Sequence, residues 1–177
     1  MKAADEIDLL GYTFVGFIDE LRTSILERLR QGARIRILLV DPTTIAGKLM
    51  MQQNPHTKYP CDVRIVLDRY EEIKGQEACA NMELRLLRWI PSCSMVILNG
   101  SKESGRMKIG IYPLAYSTRM DERAYFSLAR GDDQRWYPVF LAQYNKLWER
   151  AKPYDPVLKL DLSYVKMAQK IKEETHL

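Results

Sequence analysis

The chain predicts a three-layer α/β sandwich built on a mixed sheet, with a parallel βαβ start, a later antiparallel meander and helices on both faces. Three observations carry this. Residues 6–42 alternate strand, helix, strand; residues beyond Pro91 break into short strands separated by turn residues; and helical apolar stripes occur in both halves. The 177 residues suffice for one core and are too few for two ordinary domains.

Taken in order, Ile7, Leu9 and Leu10 mark a buried strand that Gly11 ends. Phe14, Phe17, Ile18, Leu21, Ile25, Leu26 and Leu29 recur at three- and four-residue spacings. They predict a helix with Thr13 as N-cap and Gly32 as its stop. Ile35, Ile37 and Leu39 alternate, and Leu38 with Val40 makes the end of that strand apolar on both faces, as in a covered parallel strand. Between Thr43 and Asp62 the pattern is weaker, and Asn54-Pro55 with Tyr59-Pro60 predicts a loop in part of it. From Val63 to Trp89 the apolar residues lie near helical spacing, which predicts one helix broken near Gly75, or two. MVILN, RMKIGIY, LAYSTRM and RAYFSLA then read as a meander. Val139 to Ala151 closes the domain as a helix with Phe140, Leu141, Tyr144, Leu147 and Trp148 inward, ended by Pro153 and Pro156. Residues 1–155 form the predicted α/β domain, and 156–177 an amphipathic helical tail over Leu162–Lys172.

Composition narrows the classes. The chain is 46% hydrophobic and 28% charged with no biased tract, which excludes disordered, collagenous and fibrous proteins. Its net charge of +4 is spread without a Lys/Arg block, so nucleic acid is the less favoured partner. Cys61, Cys79 and Cys93 are widely spaced without a CxxC, which fits free thiols in a reducing compartment. No apolar run approaches the roughly 18 residues of a spanning helix, and the acidic start MKAADEIDLL is unlike a signal peptide. The expected location is the cytoplasm, with no membrane span.

The strand ending in Gly11, the helix closing over Leu29 to Gly32, the strand RIRILLVDP, a following long helix, and a meander leading to an aromatic-rich helix together resemble a single phospholipase D-like domain over most of residues 5–151. That family's chemistry rests on His-x-Lys-x4-Asp, in which the histidine attacks phosphorus and the lysine stabilises the phosphoryl oxygens. Residues two apart on a strand share a face. By element order the motif falls in AYSTRMDERAYFS, where Tyr116 stands near the histidine position, Thr118 near the lysine, and Asp121 begins the turn. The resemblance thus implies a degenerate member without nucleophile or phosphate-binding lysine there. His56-Thr57-Lys58 does present His-x-Lys, but only three residues separate Lys58 from Asp62, and Pro55 and Pro60 are poor strand residues. His56 is either a catalytic nucleophile assisted by Lys58 or an exposed loop histidine; His176 is the other histidine of the chain.

Asp41 ends an apolar strand, where open α/β sheets bind ligands, and it is equally placed to cap a helix starting after Pro42. NGSKESGR lacks the Gly-Lys-Ser/Thr ending of a P-loop and reads as a hairpin turn. Arg119, with Arg123, Arg130 and Arg135 after it, suits a forked grip on phosphate or carboxylate, or ordinary strand-surface pairing. Arg85 and Arg88 read as a solvated helix face beside Glu83, and the aromatic residues from Trp136 to Trp148 as a core helix.

The sequence favours a non-catalytic phospholipase D-like sensing or interaction module in a bacterial-type protein, with Asp41, Tyr116, Thr118, Arg119 and Asp121 as ligand-binding residues. A phosphorylated small molecule or nucleotide and a homodimer are the expected partners; no cofactor or metal is expected. The alternative is a phosphodiesterase or nuclease in which His56 and Lys58 act within a homodimeric site, and the third reading is a structural partner-binding domain.

Overall fold

The computed structural model describes residues 4–53, 59–76, 80–112 and 124–157. Its elements run β1 (Glu6–Gly11), α1 (Val15–Arg30), β2 (Arg34–Val40), α2 (Ile45–Gln53), α3 (Tyr59–Lys74), β3 (Met82–Leu87), β4 (Cys93–Leu98), β5 (Arg106–Ile111), β6 (Tyr125–Ala129), α4 (Trp136–Arg150) and β7 (Lys152–Pro153). The seven strands form one mixed sheet in the order β6-β5-β4-β1-β2-β3-β7. The β1–β2 and β2–β3 pairs are parallel, and β4, β5, β6 and β7 each join antiparallel.

Strand alternation sorts the side chains between two faces. Ile7, Leu9, Ile35, Ile37, Leu39, Met82, Leu84 and Leu86 pack with Ile18, Ile25 and Leu29 of α1 and with Val63, Val66 and Ile73 of α3 in one apolar cluster. Leu10, Leu38, Leu87, Met95, Ile97, Met107 and Ile109 pack with Tyr137, Tyr144 and Trp148 of α4 in the other. Burying each large aliphatic side chain contributes about 1.5–3 kcal/mol, so the two layers together hold the sheet. Asn99, in the left-handed region at φ 51°, ends β4. Its Oδ1 accepts from the N–H groups of Asp5 and Glu6 at 2.8 and 3.2 Å, which ties the start of β1 to the end of β4.

Three local expectations need correction. Residues 82–87 are a strand and not a helix: Met82, Leu84 and Leu86 alternate with Glu83 and Arg85, and pairing with β2 decides in favour of that two-residue period over the three-residue spacing of Leu84 and Leu87. Arg85 is therefore no solvated helix residue; its guanidinium lies 4.5 Å from the centre of the Trp148 ring, beneath α4. Thr13 is not the N-cap of α1. That place falls to Phe14, which adopts φ 63° and offers no side-chain cap. The closing helix also begins earlier than predicted, at Trp136, where Asp133 Oδ1 accepts from the Trp136 N–H at 2.7 Å, and Pro153 sits in β7. Gly32, at φ 87°, does close α1 as predicted. Residues 99–105 do form the turn between β4 and β5, and Tyr137, Tyr144 and Trp148 are core residues as predicted. The predicted LAYSTRM strand and the terminal helix at 162–172 lie outside the described residues.

Candidate functional site

β1 lies between a parallel neighbour on one side and an antiparallel one on the other. At such a switch point, open α/β sheets leave a crevice beyond the carboxyl ends of the strands. A cavity of about 290 Å³ occupies that place, lined by Gly11 to Phe17, Asp62, Ser94 and Tyr112. It lies at the small end of the volumes that hold ligands, about 300–1,000 Å³. Two larger hollows, of about 480 Å³ beside α4 and about 710 Å³ over β4–β6, are broad and open to solvent.

Local sequence builds the crevice wall. Gly11 makes room for the Phe14 ring, which an added Cβ would meet at 2.6 Å. With glycine in place, that ring lies against the end of β1, and Phe14 takes a left-handed conformation that costs on the order of 1–3 kcal/mol. The chain then enters α1 without a side-chain cap and without an acidic residue in the first turn, so the first N–H groups of the helix have no side-chain acceptor of its own, and Val15, Gly16 and Phe17 line the crevice. Tyr12 and Tyr112 stack with ring centres 3.8 Å apart and planes within 8°, bridging the ends of β1 and β5 across β4. On β4, Ser94 fits because the facing residue is Gly110, whose added Cβ would meet Ser94 Oγ at 2.6 Å. Asp62 comes from the first turn of α3. The lining thus combines aromatic faces, hydroxyl groups, helix-terminal N–H groups and one carboxylate, which suits a small ligand with both polar and apolar parts.

Asp41 stands at the end of β2, is 8% exposed, and does not line this cavity. Its Oδ1 accepts from Thr43 N–H at 2.9 Å and from Thr43 Oγ1 at 2.6 Å, which shapes the turn into α2. Gly47 lets α2 close against that turn, since a Cβ there would meet Pro42 Cα at 2.5 Å. His56, Lys58, Tyr116, Thr118, Arg119 and Asp121 lie outside the described residues. Their neighbours in sequence do not. Tyr59 is buried, and its hydroxyl donates to Val40 C=O at 2.7 Å, at the carboxyl end of β2. Tyr112, which precedes residues 113–123, is part of the crevice lining.

A second concentration of polar groups lies beneath α4. Arg36 makes a forked pair with Asp8, Nε to Oδ1 and Nη2 to Oδ2, both at 2.7 Å, and reaches Asn145 Oδ1 at 3.1 Å. Its guanidinium sits 5.0 and 5.1 Å from the ring centres of Tyr144 and Trp148. Burial acts to lower the pKa of Arg36, and the hydrogen bonds and charge of Asp8 outweigh it, so the net shift is upward. Burial, with the charge of Asp8, also holds the Tyr144 hydroxyl well above the ordinary tyrosine range. Arg85 donates to Trp148 C=O at 3.0 Å, while its Nε is buried without a hydrogen-bond partner. These groups clamp α4 to the sheet.

No family model matches the chain, and no curated protein matches it. Among solved structures it is similar to TrmBL2, an archaeal chromatin protein whose structure is described as showing a novel mode of DNA binding. The identity is 19% and the TM-score 0.49, over 86% of this chain and 47% of that one. The chain spans about half the length of that protein, and a likeness at this level carries no argument about what the chain binds. Among the described residues, no helix is long and apolar enough to cross a membrane.

Proposed function

We propose that the chain is a non-catalytic, phospholipase D-like sensing module of the cytoplasm that takes a small phosphorylated ligand in the crevice at the carboxyl end of β1. The observation that carries this is the coincidence of a cavity, a switch point in the sheet and the uncapped first turn of α1. Helix-terminal N–H groups and the helix dipole favour an anionic group. Thr13, Ser94 and Asp62 supply partners for ligand hydroxyls, and the stacked tyrosines an apolar wall. A ligand that binds the folded state raises its melting temperature by mass action, so a thermal-shift screen with nucleotides and phosphorylated metabolites tests the reading. Gly16 lines the crevice at a position where an added Cβ meets no atom within 4 Å. Gly16→Leu is expected to fold and to abolish the shift; a screen without any hit, or a shift that survives Gly16→Leu, sinks the proposal.

One observation favours a second reading. The Tyr59–Val40 hydrogen bond fixes the residue after Lys58 at the carboxyl end of β2, and His56-Thr57-Lys58 directly precedes it in sequence. In this reading His56 attacks a phosphodiester and Lys58 stabilises the developing charge. Hydrolysis of a phosphodiester reporter that is lost in His56→Ala would replace the non-catalytic reading with this one.

A further inference from the structure

The two edges of the sheet are finished differently. β7 is two residues long, Lys152–Pro153, both exposed; a lysine and a proline on a short strand are the ordinary means by which an edge is protected from pairing. β6, at the other edge, is Tyr125-Phe126-Ser127-Leu128-Ala129, which carries no charge and no proline and is rich in strand formers. We propose that a second copy of this chain pairs antiparallel along β6, so that the sheets of two subunits join into one.

The hydrogen-bond register shows what β6 offers. Ile111 N–H donates to Ala124 C=O and Arg130 N–H to Gly105 C=O, both at 2.9 Å. With the pairing of Phe126 to Ile109 and Leu128 to Met107, this assigns the even-numbered residues to bonds with β5. The N–H and C=O groups of Tyr125, Ser127 and Ala129 therefore point away from the sheet. Among the described residues, only the Ala129 carbonyl is engaged on that side, by the N–H groups of Asp132 and Asp133. Tyr125, Phe126 and Ser127 are all exposed, so among the described residues this edge is open over Tyr125, Phe126 and Ser127 and is met only at Ala129, by the turn at Asp132 and Asp133.

Self-pairing fits better than pairing with a charged strand. A dyad through Ser127 sets Ser127 beside Ser127 of the partner subunit with reciprocal N–H to C=O bonds, and Tyr125 beside Ala129 of the partner subunit. A charged residue at the dyad would meet its own like charge, and this strand has none. Such a dyad is perpendicular to the sheet, so both copies keep α4 on the same side. Phe126, 37% exposed and in edge contact with Phe140 of α4, then faces Leu128 of the partner subunit. Trp136 and Val139, on the same helix as Phe140, are 49% and 51% exposed. An isologous contact needs a patch complementary to itself, and an uncharged strand with exposed Tyr125 and Phe126 supplies one.

The test is sedimentation of the full chain from low to high micromolar concentration. The wild type is expected to reach twice the chain mass. Ser127→Lys, which sets two ammonium groups at the dyad, is expected to stay at the chain mass with an unchanged far-ultraviolet circular dichroism spectrum. A second variant keeps the proposal testable should Ser127→Lys fail to fold. In a background with Cys61 and Cys79 replaced by serine, Ser127→Cys places two thiols across a dyad whose Cα atoms are about 5.5 Å apart, within reach of a short bis-maleimide. That reagent should then give a covalent dimer. A wild type that stays at the chain mass, a Ser127→Lys protein that still doubles, or an absent cross-link would each overturn the proposal.

Discussion

The two faces of the sheet are held in different ways. Beneath α1, α2 and α3 the strands present an apolar layer of Ile7, Leu9, Ile35, Ile37, Leu39, Met82, Leu84 and Leu86. Beneath α4 the same strands present Asp8, Arg36 and Arg85 beside Leu10, Leu38 and Met95. Among the described residues three helices cover one face and one helix the other, and α4 lays aromatic rings over paired charges. The first face depends on volume. The second depends on Asp8 and Arg36 being matched to each other, because a buried charge without its partner is costly.

That contrast can be broken most directly at Asp8, whose side chain is 2% exposed. Asp8→Ala leaves Arg36 buried without its forked partner and is expected to cost about 3–5 kcal/mol, measured by urea unfolding. Replacing the pair together, as Asp8→Leu with Arg36→Met, should recover most of that loss, since apolar residues of similar volume often match a buried ion pair; a double variant no more stable than Asp8→Ala would show that the charges do more than satisfy each other. On the volume-dependent face, Ile37→Val is expected to cost about 0.5–1.5 kcal/mol. A loss there as large as that of Asp8→Ala would erase the distinction.

The smallest effect is one of pH. Glu6 shares the α4 side of β1 with Asp8. Burial tends to raise its pKa, but its bonds from Ser101 N–H and Oγ prevail, and the net shift is downward. A carboxylate depressed in the folded state adds stability that is present above its unfolded pKa and is lost as pH falls through the folded one. Glu6→Gln should therefore flatten the loss of stability below about pH 4.5 and leave Ile37→Val with the slope of the wild type. Equal slopes for Glu6→Gln and wild type would remove Glu6 from the acid response.

Where one period dominated, the sequence was legible. The stripe of α1, the alternation of β2 and the glycine at position 32 each had one physical reading. β3 was not legible, because Leu84 and Leu87 satisfy a helix as well as a strand, and only the neighbouring β2 decides. The location of the crevice was legible in part: Asp41 pointed to the carboxyl ends of the strands, yet its carboxylate is committed to Thr43. Ser94, Tyr112 and the uncapped start of α1 were missed. Gly11 and Gly110 were their one local signal, since each glycine makes room for a neighbour that only the assembled sheet brings close. Arg85 was misplaced along with its strand, and its burial under Trp148 depends on α4, some sixty residues further on.

The central position of β1 sets the order in which the chain can protect itself. β2 covers one side of β1 early, but the other side waits for β4, residues 93–98. At about 5–20 residues per second of synthesis, an edge formed by Ile7, Leu9 and Leu10, fully buried in the finished fold, stays open for several seconds after β2 has emerged. The nascent chain therefore passes through a stage in which a strand that the finished fold buries almost completely is still open to foreign partners. Chaperone dependence during synthesis should follow the arrival of β4 more closely than the stability of the finished fold.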